Sequence, residues 1–256
     1  MLSTFADGAL FGERHGEAPL EILALHGWGR SHRDFATALS PVDAAPLNAV
    51  ALDLPGFGAS PTPTKAFSSQ DYADAVRPVL EEARKPVLLV GHSHGGRVAL
   101  KIAACLPEAV SGIVLVAAPV LHRSDSRRPA LHYRLLKRAN RLKLFSDARM
   151  EEARRRFGSA DYAAAEGVMR DTLVTVVNES FEAELSALRC PVALLWGAED
   201  REVPVEVAVR AKALIGTDLE PDDKPPSSLR VLEGIGHLVP TTAPASLRES
   251  ILGLLS

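Results

Sequence analysis

The sequence predicts an α/β fold: a mostly parallel sheet flanked by helices, interrupted by a helical insertion. Three observations carry this prediction. Short runs of Val, Leu, Ile and Ala, nearly continuous in apolar residues, recur along the chain, as strands buried on both faces require. Longer amphipathic stretches alternate with them, the order that joins parallel strands through helices. One Gly-x-Ser-x-Gly sequence, Gly91-His92-Ser93-His94-Gly95, falls where an apolar run ends and a helical pattern begins.

Taken in order, the segment from about Leu2 to Arg14 predicts an edge strand or hairpin. Strands follow over Glu21–Leu25, Ala49–Leu52, Pro86–Gly91, Ser111–Ala117, Val192–Trp196 and Leu229–Leu232. Helices are predicted over Ser31–Leu39, over Ser68–Ala83 with Ser68 or Ser69 as N-cap, and over Arg97–Leu106, Val205–Ile215 and Pro244–Leu255. Asp218–Ser228, rich in Pro, Asp and Ser, reads as a surface loop.

The strand signal stops between about Pro119 and Leu188. Leu131, Leu135, Ala139, Leu142 and Phe145 there fall near helical spacing. From His122 to Arg156, twelve Lys and Arg stand against four Asp and Glu, in a chain whose net charge is −3. This asymmetry divides the chain into a core over residues 1–118 and 189–256 and a helical cap over residues 119–188. The basic run reads either as a solvated helix face or as an entrance that attracts an anionic substrate.

With 256 residues, 46% of them hydrophobic, the chain can bury one large core. No apolar run approaches the ~20 residues that span a bilayer, so no stable membrane insertion is expected. The first residues do not have the form of a secretory signal. The whole-chain charge balance gives no reason to expect a nucleic-acid partner. Cys105 and Cys190 read as buried or half-buried free thiols, which places the protein in a reducing, cytoplasmic compartment.

The Gly91–Gly95 sequence between a buried strand and a helix describes a nucleophile elbow, a sharp turn that lifts a serine hydroxyl clear of the sheet. A hydroxyl is a poor nucleophile at neutral pH and needs a base. Among eight histidines, His237 in Gly234-Ile235-Gly236-His237-Leu238 has the suitable position, after the strand Leu229–Leu232 and before the last helix. A base needs an acid to fix its tautomer. Glu199 and Asp200 both lie past the end of the strand Val192–Trp196. In His26-Gly27-Trp28-Gly29, Gly27 and Gly29 bracket Trp28 in a tight turn. The Trp28 N–H can share a crevice with the N–H of His94, giving an oxyanion hole, while His26 braces the loop. Arg97, in the first turn of the helix after the elbow, reads as a helix-surface or cap-anchoring residue. Each candidate follows the C-terminal end of a predicted parallel strand, where open α/β sheets carry their sites.

These residues resemble the α/β-hydrolase family. His26–Gly29 is similar to its oxyanion loop, Asp53-Leu54-Pro55-Gly56-Phe57-Gly58-Ala59-Ser60 to a largely structural loop, and Gly91–Gly96 to its elbow. The spacing Gly197-x-x-Asp200-x-x-x-Pro204 resembles the family's acid segment and selects Asp200 over Glu199. The resemblance implies a catalytic triad of Ser93, Asp200 and His237 and an acyl-enzyme that water releases. The partners it implies are a small-molecule acyl substrate and water, with no metal and no organic cofactor. Histidines at 92 and 94 count against the carbon–carbon bond hydrolases of the family, which carry Asn and Met there. Serine at 93 counts against its dehalogenases, which carry Asp. A non-catalytic or slowly turning binding protein, and an acyltransferase or perhydrolase with the same triad, remain alternatives on this fold.

Overall fold

The computed structural model describes residues 2–17, 19–41, 47–122 and 160–255. Among them, eight strands form one sheet in the order β1-β2-β4-β3-β5-β6-β7-β8. The hairpin β1 (Leu2–Phe5) and β2 (Leu10–His15) is antiparallel and pairs antiparallel with β4 (Ala49–Asp53). From β4 onward the sheet is parallel, through β3 (Ile22–Leu25), β5 (Val87–His92), β6 (Val110–Val116), β7 (Val192–Gly197) and β8 (Ser227–Leu232).

The alternation of side chains along each strand divides the core in two. Leu23, Leu25, Val50, Leu52, Val87, Leu89, Ile113, Leu115, Leu194 and Trp196 point to one face. That face is covered by α2 (Ser69–Glu81), α3 (His94–Cys105) and α7 (Val205–Leu214). Ile22, Ala24, Ala49, Ala51, Leu88, Val90, Val114, Val116, Ala193 and Leu195 point to the other, beneath the short α1 (Ala36–Leu39) and α8 (Val239–Thr242) and the longer α9 (Pro244–Leu255). Burial on both sides is why these strands read as continuous apolar runs. β8 lies at the sheet edge, and its residues are half-buried or exposed.

Besides shifts of one or two residues at the ends of other strands and helices, three elements differ from expectation. α3 begins at His94 rather than Arg97, because the turn at Ser93 leads straight into helical backbone and Gly95 and Gly96 are part of the first turn. The helix expected over Ser31–Leu39 is a 3-10 turn over His32–Phe35 followed by α1. The expected loop over Asp218–Ser228 gives up its last two residues to β8 and contains a 3-10 turn at Pro221–Asp223. α2 has the expected cap: the Ser68 hydroxyl accepts from the Asp71 N–H, and the Asp71 carboxylate accepts from the Ser68 N–H at 2.8 Å, a reciprocal capping box.

Among the described residues, three helices lie between β6 and β7: α4 (Ala160–Ala164), α5 (Gly167–Val177) and α6 (Glu182–Ser186). Leu131, Leu135, Ala139, Leu142 and Phe145, and all but the first residue of the basic run His122–Arg156, lie outside the described residues. The described return of this segment is tied to the core by long-range bonds. The Phe67 N–H donates to Thr172 Oγ1 and the Ser69 N–H to Glu179 Oε1, each at 3.0 Å. The buried Arg97 guanidinium donates to the carbonyls of Pro119 (3.0 Å) and Val176 (2.5 Å), so one side chain on α3 joins the start of the segment between β6 and β7 to α5.

Cys190 is half-buried, but Cys105 is exposed, contrary to expectation. It closes α3 on the solvent side, where its thiol bonds Gln70 Oε1 at 3.3 Å.

Replacing Leu89 by Ala, which empties a fully buried position in the larger core, should lower unfolding free energy by about 2–5 kcal/mol in urea denaturation. Val231→Ala on the exposed edge should change it by less than about 0.5 kcal/mol.

Candidate active site

The C-terminal ends of the parallel strands deliver five loops to one place. The turn at the end of β5 is the tightest. Ser93 has φ 49° and ψ −113°, a conformation costly for a residue with a Cβ. It persists because its surroundings leave no alternative. The Ser93 N–H donates to the Val116 carbonyl of β6 at 2.9 Å, and the Gly95 N–H to the His26 carbonyl at 3.0 Å. A Cβ on Gly91 would stand 2.5 Å from the Gly96 Cα, and one on Gly95 would stand 2.0 Å from the Leu25 carbonyl oxygen. Only glycine lets strand, helix and neighbouring loop approach this closely.

The loop after β3 is held by His26, which is fully buried. Its Nδ1–H donates to the Gly27 carbonyl at 2.7 Å, and its Nε2 accepts the Leu54 N–H at 3.0 Å. These two bonds fix the tautomer. Gly27 faces the elbow, where a Cβ would stand 2.9 Å from His92 Nδ1. Gly29 adopts φ 66°. Trp28 packs edge-on against Phe57 and His94, with ring centroids 4.8 and 5.6 Å away. The Trp28 N–H and the His94 N–H, the first of α3, have no hydrogen-bond acceptor among the described residues.

The loop after β4 is structural. The fully buried Asp53 carboxylate accepts from the His32 N–H (2.7 Å), His32 Nδ1 (2.8 Å) and the Ala59 N–H (2.8 Å). A Cβ on Gly58 would stand 2.1 Å from the Asp53 carboxyl carbon. The loop thus wraps its own aspartate and presents Phe57 to the Trp28 ring.

The loops after β7 and β8 bring an acid and a base together. His237 Nδ1–H donates to Asp200 Oδ2 at 2.8 Å. The other carboxylate oxygen accepts the N–H groups of Glu202 (2.9 Å) and Val203 (2.8 Å). Asp200 is buried; its neighbour Glu199 is exposed. With its proton on Nδ1, the imidazole presents an unprotonated Nε2, and Glu202 Oε2 stands 3.6 Å from it. Burial alone would lower the His237 pKa. The hydrogen bond and charge of Asp200, joined by Glu202 and Asp161, outweigh burial and raise it above the ordinary 6.5.

Ser93, His237, Trp28 and Gly27 line one cavity of about 130 Å³. Its other walls are Arg30, His92, Asp161, Glu202 and Leu238. Arg30 is bound to Asp34 through two bonds, of 2.8 and 2.7 Å. The residues singled out in the sequence therefore meet at one rim of the sheet. Sequence reading missed Asp161, Glu202 and His92 as walls of this cavity. Glu202 had a signal, two residues beyond Asp200 in the same loop; Asp161 had none. His94 is enclosed by Trp28, Phe57 and Tyr72, and neither of its ring nitrogens has a partner among the described residues. Among the described residues, no three or more His, Cys, Asp or Glu side chains are grouped to hold a metal ion.

The chain matches the sequence profile of the Alpha/beta hydrolase family over residues 22–249, and it belongs to that family. It is 29% identical over 250 residues to the uncharacterized hydrolase YugF of Bacillus subtilis, covering 90% of this chain and 88% of that one. It is 32% identical over 217 residues to the pimeloyl-[acyl-carrier protein] methyl ester esterase of Chromobacterium violaceum, covering 77% and 82%. Its fold matches that of an esterase from Exiguobacterium antarcticum with a TM-score of 0.73, at 18% identity, over 100% and 99% of the two chains.

Gly95→Ala should cost about 1–3 kcal/mol or more of stability, because the clashing atom is backbone. Gly253→Ala, in α9 with open space around it, should gain about 0.5–1 kcal/mol. Urea denaturation of both variants beside the wild type checks the contrast.

Proposed function

We propose that the protein is a serine hydrolase that cleaves an ester or similarly activated acyl bond of a small molecule through an acyl-enzyme on Ser93. One observation carries this reading: a strained Ser93 shares a cavity with the imidazole of His237, whose far nitrogen is fixed on Asp200. In the first half-reaction, His237 Nε2 takes the hydroxyl proton as Ser93 Oγ adds to the substrate carbonyl. The oxyanion accepts from the Trp28 and His94 N–H groups, each such donor contributing on the order of 3 kcal/mol to the transition state. His237 then protonates the leaving alcohol. In the second half-reaction, His237 takes a proton from water as the water oxygen adds to the acyl carbonyl, then returns that proton to Ser93 Oγ as the acyl carbon–Oγ bond breaks and the carboxylic acid leaves.

Residues 119–188 form the cap over this cavity on the same reading. Asp161 of α4 reaches its wall, and Arg97 anchors the segment at Pro119 and at Val176 of α5. A cytoplasmic setting fits the two free thiols, one of them exposed. Among the described residues, no helix is long and apolar enough to cross a membrane. The name of the Chromobacterium violaceum relative makes alkyl esters, methyl esters first, the substrates to screen.

A fluorophosphonate probe should label the wild type and leave Ser93→Ala unlabelled. Turnover of p-nitrophenyl esters should fall at least about 10³-fold in Ser93→Ala and His237→Ala. Equal labelling of wild type and Ser93→Ala, or no labelling of either, would overturn the proposal; no labelling would favour a binding protein.

Only a neutral imidazole can take the serine proton. Activity should therefore fall as pH drops through the raised His237 pKa, giving kcat/KM an acidic limb on the high side of an ordinary imidazole. Glu202→Gln removes a charge that favours the imidazolium and should move that limb to lower pH. A pH series of kcat/KM for the two proteins checks the direction.

A further inference from the structure

We propose that His92 is a positioning residue, whose imidazole sets the spacing between the nucleophile turn, the oxyanion loop and the base loop. The inference rests on the function proposed above, and on contacts that connect all three loops. His92 immediately precedes Ser93. Its Nε2 lies 3.0 Å from the backbone carbonyl oxygen of His237. A carbonyl can only accept, so Nε2 carries the proton and donates it. The other side of the ring fills the space that a Cβ on Gly27 would need, 2.9 Å from Nδ1 and 3.1 Å from Cε1. The ring of His237 lies 5.1 Å away, centroid to centroid. One buried imidazole thus spans from strand β5 to the loop carrying His237 and seats against the loop carrying Trp28.

The chemistry of the site explains a histidine here. The position is 1% exposed, so the side chain must be flat and uncharged, and it must still donate at its far end. Burial, followed by the proximity of His237, lowers the His92 pKa to about 4, so the ring is neutral where the enzyme works. A neutral Nε2–H tautomer leaves Nδ1 bare, and Nδ1 has no partner among the described residues. His92 is a wall of the cavity, but its side-chain hydrogen bond goes to the base loop. It acts through His237: without the bond, the backbone of the base loop loses its tie to β5, and the imidazole can leave both Asp200 and Ser93.

The test uses His92→Gln, which keeps an amide donor, and His92→Phe and His92→Leu, which have none. Leu is small enough to fit should Phe crowd Gly27. Two readouts are needed. The first is the His237 pKa, followed by NMR titration of its Cε1–H, which requires no catalysis. Asp200, Glu202 and Asp161 face His237 and favour its charged form, and Arg30 and His92 complete the cavity. An imidazole released from Asp200 should titrate at lower pH in the Phe and Leu variants and near the wild-type position in Gln. The second is steady-state turnover: kcat should fall about 10- to 100-fold in Phe and Leu with KM little changed, and recover in Gln. An unmoved His237 titration in the Phe or Leu variant, wild-type kcat in either, or a Gln variant as impaired as both overturns the inference. A titration that shifts as expected in a protein without Ser93-dependent turnover would support the positioning role and overturn only the catalytic proposal.

Discussion

The site depends on one turn of backbone held where L-residues rarely stay. Ser93 sits at positive φ between β5 and α3, and nothing local makes that favourable. The cost, of order 1–3 kcal/mol, is carried by contacts that form only in the complete sheet. The Ser93 N–H bonds the end of β6, the Gly95 N–H bonds the loop after β3, and the glycines let three backbones touch. The strain is thus a product of the long-range fold. The same contacts hold the Ser93 backbone at the cavity wall.

The remaining loops are each stabilised within themselves and then keyed to this turn. Asp53 gathers the loop after β4 through three hydrogen bonds. His26 pins the loop after β3 to Leu54. Asp200 divides its oxygens between His237 and two N–H groups of its own loop, so the acid is oriented independently of the base. Three histidines around the turn are held in different states. His26 is neutral with its proton on Nδ1, His92 is neutral with its proton on Nε2, and His237 is placed beside carboxylates that favour its cation. Environment, more than residue type, distributes the roles.

Much of the sheet was legible because burial on two faces writes itself as unbroken apolar runs. Each of the six runs read as strands is one, with ends shifted by one or two residues. The start of α3 was misplaced by three residues because Gly95 and Gly96 look like loop residues, whereas close packing is what demands glycine there. Ser93, Asp200 and His237 stood out because elbow, acid and base each follow a strand end. Glu202, Asp161 and His92 did not, since their importance comes from which side chains face them across the cavity, information that spacing does not contain. The exposure of Cys105 was missed for a related reason: α3 buries one side and leaves its last residue on the other.

The central claim is that catalysis passes through a covalent acyl group on Ser93. The most direct measurement is intact-protein and peptide mass spectrometry after rapid acid quench of the wild type with p-nitrophenyl acetate. An acetyl adduct confined to the peptide containing Ser93, appearing before steady state and absent from Ser93→Ala, is expected. Release of p-nitrophenol by the wild type with no adduct at any quench time, or with an adduct on another side chain, would contradict it.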